Sequence, residues 1–315
     1  MTQKKIIAVA GATGAQGGGL VRAILSDKDS EFTPRALTRD PGSDKAKALA
    51  DLGAEVVQAD LHDVASIRKA FDGAHGAYCV TFFWAHFSPE MEFLEASNMA
   101  QAAKEAGVKH VIWSTLEDTR KWIPTSDPRM PTLLGKYSVP HFDVKGEADQ
   151  VFADTGIPVT YLLASFYWEN FIYFGQGPKA EGDGSLTLSL PMGSKKLAGI
   201  ASEDIGRCAY GIFRRGTELA GKRIGIAGEQ LTGDEMAAKF AKSLGRPVRY
   251  NAVPVDVYRG LGFSGAEEMG NMYQFYADFD EVVGKTRNVE FSRELNPELQ
   301  SFDEWLTRNK NKMSF

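Results

Sequence analysis

Cysteine is scarce in this chain of 315 residues: Cys79 and Cys208 are the only two, far apart and outside any C-x-x-C pattern. That excludes a disulfide framework and points to a reducing compartment, with Cys79 in its apolar stretch reading as a small core residue. The five histidines, His62, His75, His86, His110 and His141, stand at no metal-ligand spacing, so no metal is expected. Long apolar runs are missing as well. The longest, Ile157 to Trp168, is interrupted by Pro158 and ends at Glu169-Asn170, short of the roughly 20 residues that span a bilayer. The apolar stretch after Lys4-Lys5 gives way to glycines after about five residues, too soon for a secretory leader. Nor is there an excess of positive charge: 36 Lys and Arg against 41 Asp and Glu leave a net charge of −5. Direct binding to nucleic acid or to an anionic membrane therefore has no electrostatic support. A cytoplasmic or nuclear location is expected.

What is present is an alternation of apolar runs and helix-like segments. "IIAVA" (6–10), "TPRALT" (33–38), "AEVVQAD" (54–60), "GAYCVT" (76–81) and "VKHVIWS" (108–114) each lead into or follow a helical pattern. Ser43 and Asp63 stand where helix caps are needed, and Gly53 and Gly73 where helices stop. Such alternation with short connections predicts an α/β fold, a Rossmann-type doubly wound parallel sheet covered on both faces. The rhythm breaks at 115–140, a 26-residue stretch with four prolines, the kind of long segment that is usually functional or mobile. The expected organisation is a dinucleotide-binding domain over 1–155 and a smaller α/β lobe over 156–315, with later strands free to rejoin the first sheet. In that lobe, helices are expected over 203–214, 232–244, about 254–281 and 301–309.

The opening strand runs into "GATGAQGGG", glycines at Gly11, Gly14 and Gly17, and a helix begins at once. Strand, glycine turn and helix are the context a dinucleotide fingerprint requires. Gly11 permits the tight turn, Gly14 lets backbone approach a pyrophosphate at the helix N-terminus, and Gly17 allows close helix–strand packing. Cofactor choice is read at the end of the second strand, Leu37-Thr38-Arg39-Asp40. Arg39 can form a planar two-pronged contact to a 2′-phosphate, while Pro41 turns Asp40 toward a turn or cap role, so NADP(H) is favoured over NAD. Asp60, ending the third strand, suits either the adenine amino group or a cap.

Together, "VAGATGAQGGGLVRAIL", "LTRDP", "GAEVVQADLHD", "HFDVKGEADQVFADTGIPVTYL" and "FYWENF" resemble the NmrA-like family of atypical short-chain dehydrogenases, and within it the NADPH-sensing redox sensors. The resemblance covers nearly the whole chain. It implies NADP(H) along the carboxyl edge of the sheet, cradled by the loop Gly11, Thr13, Gly14, Ala15, Gln16 and Gly17, with Arg39 on the 2′-phosphate. It places Asp60 and Leu61 beside the adenine, Thr81, Phe82 and Phe83 after the fourth strand, and Lys145 at the nicotinamide ribose. Tyr167, Trp168, Glu169 and Asn170 would close over the nicotinamide end. Basic residues that similar proteins carry near Ser43 and Leu94 are absent here, although Lys45 is close.

Short-chain reductases use Ser, Tyr and Lys, with the last two spaced Y-x-x-x-K on one helix face. Here the slot reads His141-Phe142-Asp143-Val144-Lys145, and Ser114 ends the fifth strand, placed to polarise a carbonyl. His141 is either a substitute acid or a packed helix-start residue whose protonation the helix dipole opposes. Two functions are compatible with this set. One is a redox-sensing regulator with little turnover, whose 115–140 segment and aromatic stretch present a protein partner with a surface set by cofactor state. The other is an NADPH-dependent reductase of quinones, imines or conjugated carbonyls, acceptors that need positioning more than a strong acid. The missing tyrosine favours the regulator.

Overall fold

Alternating apolar side chains make Lys5–Val9 a strand (β1), with Ile7 and Val9 on one face and Ala8 on the other, all buried. In the computed structural model, which describes residues 3–315, the chain continues through α1 (Ala15–Ser26), β2 (Phe32–Thr38), α2 (Asp44–Asp51), β3 (Glu55–Gln58), α3 (Val64–Phe71), β4 (Gly76–Cys79), α4 (Pro89–Glu105), β5 (His110–Thr115), α5 (Pro140–Ala153) and β6 (Val159–Leu163). There follow β7 (Phe166–Tyr167), α6 (Asn170–Tyr173), β8 (Lys179–Ala180), β9 (Leu186–Leu190), β10 (Leu197–Ile200), α7 (Ser202–Arg214), β11 (Arg223–Gly225) and β12 (Glu229–Leu231). The C-terminal part comprises α8 (Gly233–Leu244), β13 (Val248–Ala252), α9 (Val255–Arg259), α10 (Ala266–Asp278), α11 (Asp280–Thr286), α12 (Val289–Leu295) and α13 (Phe302–Asn309).

Seven strands form one sheet in the order β11-β6-β5-β4-β1-β2-β3, every neighbouring pair parallel. This is the doubly wound sheet that the alternation predicts. One face packs Ile7, Val9, Tyr78, Ile112 and Leu162 against α1 and α7, and the other packs Ala8, Ala77, Cys79 and Trp113 against α3, α4 and α5. Residues 159–163 and 223–225 pair into this sheet, and α7 lies directly on α1. That helix contact is close because glycines line it: a Cβ on Gly206 would stand 2.1 Å from the Leu20 nitrogen. The capping residues act as the sequence implies. Ser43 accepts from Ala46 N–H and Asp63 from Ala65 N–H.

Two three-stranded sheets, β12-β10-β7 and β13-β9-β8, build the smaller lobe. Its core gathers Trp168, Phe171, Phe240, Phe302 and Trp305. The single helix expected over 254–281 is instead α9, α10 and α11. Gly262 and Gly265 take φ of +75° and +86°, which breaks the helical path between the first two. No helix among the described residues is long and apolar enough to cross a membrane.

The 115–140 stretch carries little regular structure, but it is tied down at both ends. The Asp143 carboxylate, wholly buried, accepts from Thr119 N–H and Oγ1 at one end and from Ser138 and Val139 N–H at the other. Asn271 of α10 holds its far side by donating to the carbonyls of Pro131 and Ser138.

Candidate functional site

Strand order reverses between β1 and β4, and a ligand crevice forms at the carboxyl ends of strands on either side of such a reversal. The glycine turn after β1 and the turn after β4 flank it. Gly11 takes φ +62°, and a Cβ there would stand 2.9 Å from Val80 Cγ1, so the two turns touch. Gly14 is the N-cap of α1, and Gly11, Gly14 and Ala15 are exposed, leaving the first-turn N–H groups open toward an anion. Thr13 is half-buried beside them.

At the end of β2, Arg39 is exposed and, among the described residues, has no acidic partner, whereas Arg35 is tied to Glu55. Asp40 turns back on its own chain, its Oδ1 accepting from Gly42 N–H, the turn role that Pro41 suggests. Asp60 is exposed and accepts from His62 N–H. Leu61 sits beside it, its carbonyl held by Asn98.

Beyond β4 the polar side chains are paired. Lys145 is buried, and its ammonium donates to Thr81 Oγ1 at 2.6 Å and to the Thr81 carbonyl at 3.3 Å while facing Glu92 Oε1 at 2.7 Å. Lys145 is therefore no surface lysine; to hold a ribose it would have to exchange a partner. Burial works to raise the Glu92 carboxyl, but the Lys145 charge and the hydrogen bonds from Lys145 and Thr81 outweigh it and hold Glu92 down at about 2. Because this lies below the ordinary 4.5, the paired carboxylate stabilises the fold fully above pH 4.5 and loses that contribution as pH falls toward 2. The stability gap between the protein and Glu92→Gln, on the order of 3 kcal/mol by this linkage, should close across that window in urea unfolding series.

His141 opens α5 one turn before Lys145. Its Nδ1 lies 2.6 Å from Glu268 Oε1, and its backbone N–H donates to the same oxygen at 2.7 Å. The ring packs against Trp84, Phe83 and Phe142. Nε2 makes no hydrogen bond among the described residues and is not sealed from solvent. Glu268 and Pro140 also line a cavity of about 510 Å³, walled by Phe87, Leu133, Leu134 and Phe263. Phe87 and Leu134 are the two described non-glycine residues with positive φ, +55° and +48°. Backbone held in that region costs of order 1–3 kcal/mol and concentrates at functional sites.

Ser114 is placed at the edge, as expected, but its hydroxyl donates to Gln16 Oε1 at 2.8 Å. Its hydrogen is thus already committed, so to polarise a carbonyl as anticipated it would have to leave Gln16. The same Oε1 accepts from the buried Tyr78 hydroxyl, and Gln16 Nε2 donates to the Tyr167 oxygen. Of the aromatic stretch, only Tyr167 reaches the glycine turn. Trp168 is buried on Phe302 and Trp305. Glu169 accepts from Ser202 N–H and Trp305 Nε1, and Asn170 begins α6. Phe82 is exposed, and Phe83 is buried under the His141 ring.

Glu92, Glu268 and Tyr78 were not anticipated from sequence, nor was the pairing of Gln16 with Ser114 and Tyr167. Glu92 and Glu268 are lone acids on apolar helix faces, in register with Ala96 and Met99 and with Met272 and Phe275, and that was the available signal. His86, Glu92 and Glu95 lie together, but Ser88 N–H donates to His86 Nδ1. The neutral ring then carries its proton on Nε2, which faces Glu92 Oε2 at 3.4 Å without completing a hydrogen bond and offers no lone pair to a metal.

Strand order, switch-point crevice and glycine turn define a Rossmann-type α/β protein. Residues 3–306 match the model of the NmrA-like family, and the chain belongs to that family. It is 31% identical over 258 residues to the NmrA-like family domain-containing oxidoreductase malD of Malbranchea aurantiaca, covering 79% of this chain and 76% of that protein. The crystal structure of NmrA, a negative transcriptional regulator, in complex with NADP superposes with a TM-score of 0.79 at 24% identity over 97% of this chain and 95% of that one. The NADPH-dependent quinone oxidoreductase QOR2 of Escherichia coli, complexed with NADPH, gives 0.75 at 22% identity over 97% and 100%.

Proposed function

We propose that the protein is an NADP(H)-dependent reductase of apolar, electron-poor acceptors such as quinones, imines or conjugated carbonyls. The observation that carries this is the His141–Glu268 pair. The slot that lacks tyrosine holds an imidazole fixed by a carboxylate on one nitrogen and open on the other, one helical turn from Lys145 and beside the 510 Å³ cavity. A carboxylate on Nδ1 fixes the ring's orientation and leaves Nε2 as the nitrogen that can pass a proton to a bound acceptor. The residues present fit a dinucleotide: open first-turn N–H groups at Ala15 and Gln16 for pyrophosphate, Arg39 with no acidic partner among the described residues for the 2′-phosphate, and Asp60 with Leu61 on the adenine side. The bound dinucleotide would supply a hydride. The chain's own part is to seat the acceptor among Phe87, Leu134 and Phe263 and to provide a proton from His141. The oxidoreductase naming of relatives such as malD supports the same class.

The test is NADPH consumption with a panel of quinones, imines and enones. Turnover is expected, falling roughly a hundredfold in His141→Gln and Glu268→Gln, the scale of a lost general acid. An inert panel defeats the proposal.

One observation favours the regulator instead. The Lys145 ammonium already has Glu92 and both Thr81 oxygens as partners, an arrangement that needs no substrate. If NADPH changes protease cutting within 115–140 while no acceptor is reduced, that second function takes over.

A further inference from the structure

The Gln16 amide leaves one hydrogen unspent. Its oxygen takes the hydrogens of Ser114 and Tyr78, and its N–H donates to the Tyr167 oxygen. Tyr167 is thereby an acceptor within the network, and its own O–H has no acceptor among the described residues. It stands where the glycine turn, the end of β5 and β7 meet, at the sheet edge that binds ligands in open α/β folds. Tyr78 is fully buried and spent, and Ser114 is spent, so Tyr167 alone of these three hydroxyls is free to donate. Tyr167 is half-buried rather than sealed.

We propose that Tyr167 is the residue that holds the acceptor's oxygen, its phenol O–H donating to the carbonyl or quinone oxygen, with Gln16 as the positioning residue that fixes the phenol. Resting on the reductase function above, this assigns to β7 the task a helix-borne tyrosine performs in Y-x-x-x-K reductases. The oxygen gains the electron pair of the C=O bond as hydride reaches the carbon, and its negative charge is held by the phenol hydrogen and then neutralised by the proton from His141. A donor aimed at developing charge and fixed beforehand is worth more than the same group in water. The Gln16 N–H strengthens it by drawing electron density from the phenol oxygen. Burial pushes the Tyr167 phenol up to about 12 against the opposing Gln16 bond, so it stays protonated throughout the working range.

The probe is 4-nitrophenolate, an oxyanion whose absorption band moves to shorter wavelength when its oxygen accepts a hydrogen bond. Titrated into the wild-type protein, with and without NADP⁺, it should bind with that shift. Tyr167→Phe should abolish the shift and weaken binding at least about tenfold, as expected for a hydrogen bond to a charged group. Folding, read by urea unfolding, should be unchanged. Gln16→Leu, which frees the phenol without removing it, should give a smaller shift, and Tyr161→Phe, a phenol on β6, should behave as wild type. A wild-type protein that does not shift the band, or a Tyr167→Phe variant that retains both the shift and acceptor turnover, overturns the assignment. A shift that depends on Tyr167 in a protein reducing no acceptor would preserve the hydroxyl site while defeating the reductase function.

Discussion

Replacing Gly17 with alanine is expected to remove dinucleotide binding, weakening NADPH affinity on the order of a hundredfold or more. The added Cβ would stand 2.5 Å from the Gly11 carbonyl oxygen, 2.7 Å from the Gly11 carbonyl carbon and 2.8 Å from the Ala10 oxygen. All three are backbone atoms of the turn itself, so no side chain can rotate away. The start of α1 must lift off β1, and the first-turn N–H groups at Ala15 and Gln16 move with it. Overpacking of this kind costs about 1–3 kcal/mol of stability, which urea unfolding would read alongside calorimetric titration with NADPH. Gly182→Ala, where a Cβ meets nothing within 4 Å, is the matched control and should change neither.

Arg287→Ala carries the largest expected loss of stability. Arg287 has no exposed surface, grips both oxygens of the buried Glu117 carboxylate, and donates to the Ala164 carbonyl at 3.1 Å. It joins the segment after β5, the end of β6 and the turn after α11. Burial works to raise the Glu117 carboxyl, but the adjacent guanidinium keeps it below its ordinary value. Removing the guanidinium leaves a carboxylate buried without its counter-charge, a change worth roughly 3–5 kcal/mol. Arg287→Met combined with Glu117→Leu should recover most of that loss in the same unfolding experiment, because desolvation of a charge rather than loss of volume is the source of the cost. A double variant as unstable as Arg287→Ala would show that packing, not charge, governs this clasp.

Local pattern made the strand–glycine turn–helix unit legible, because its geometry lies within a few consecutive residues. Gly11, Gly14 and Gly17 perform separate geometric tasks within seven residues, and Arg39 stands a fixed distance on. The parallel, doubly wound sheet followed from the alternation, while the return of Arg223–Gly225 to the edge of the first sheet is a long-range pairing with Tyr161–Leu163 that no short window carries. Where partners come from elsewhere, the residues were visible and their roles were not. His141 was identified as the occupant of the tyrosine slot, but its meaning depends on Glu268, 127 positions away. Gln16 was seen only as part of a loop. Its side chain turns inward to Tyr78, Ser114 and Tyr167, which reassigns the hydrogen of Ser114. Trp168 and Tyr167 are adjacent in sequence and point to different worlds, one into the aromatic core and one to the turn, as the period-two alternation of β7 requires.

The proposed reductase function requires a dinucleotide seated on the glycine turn with its 2′-phosphate at Arg39. Calorimetric titration of NADPH and NADH into the wild-type protein and Arg39→Ala tests that directly. The prediction is a single NADPH site in the wild-type protein, roughly tenfold or more tighter than NADH, with the preference lost in the variant. No heat from either nucleotide, or a preference for NADPH that survives Arg39→Ala, would contradict it.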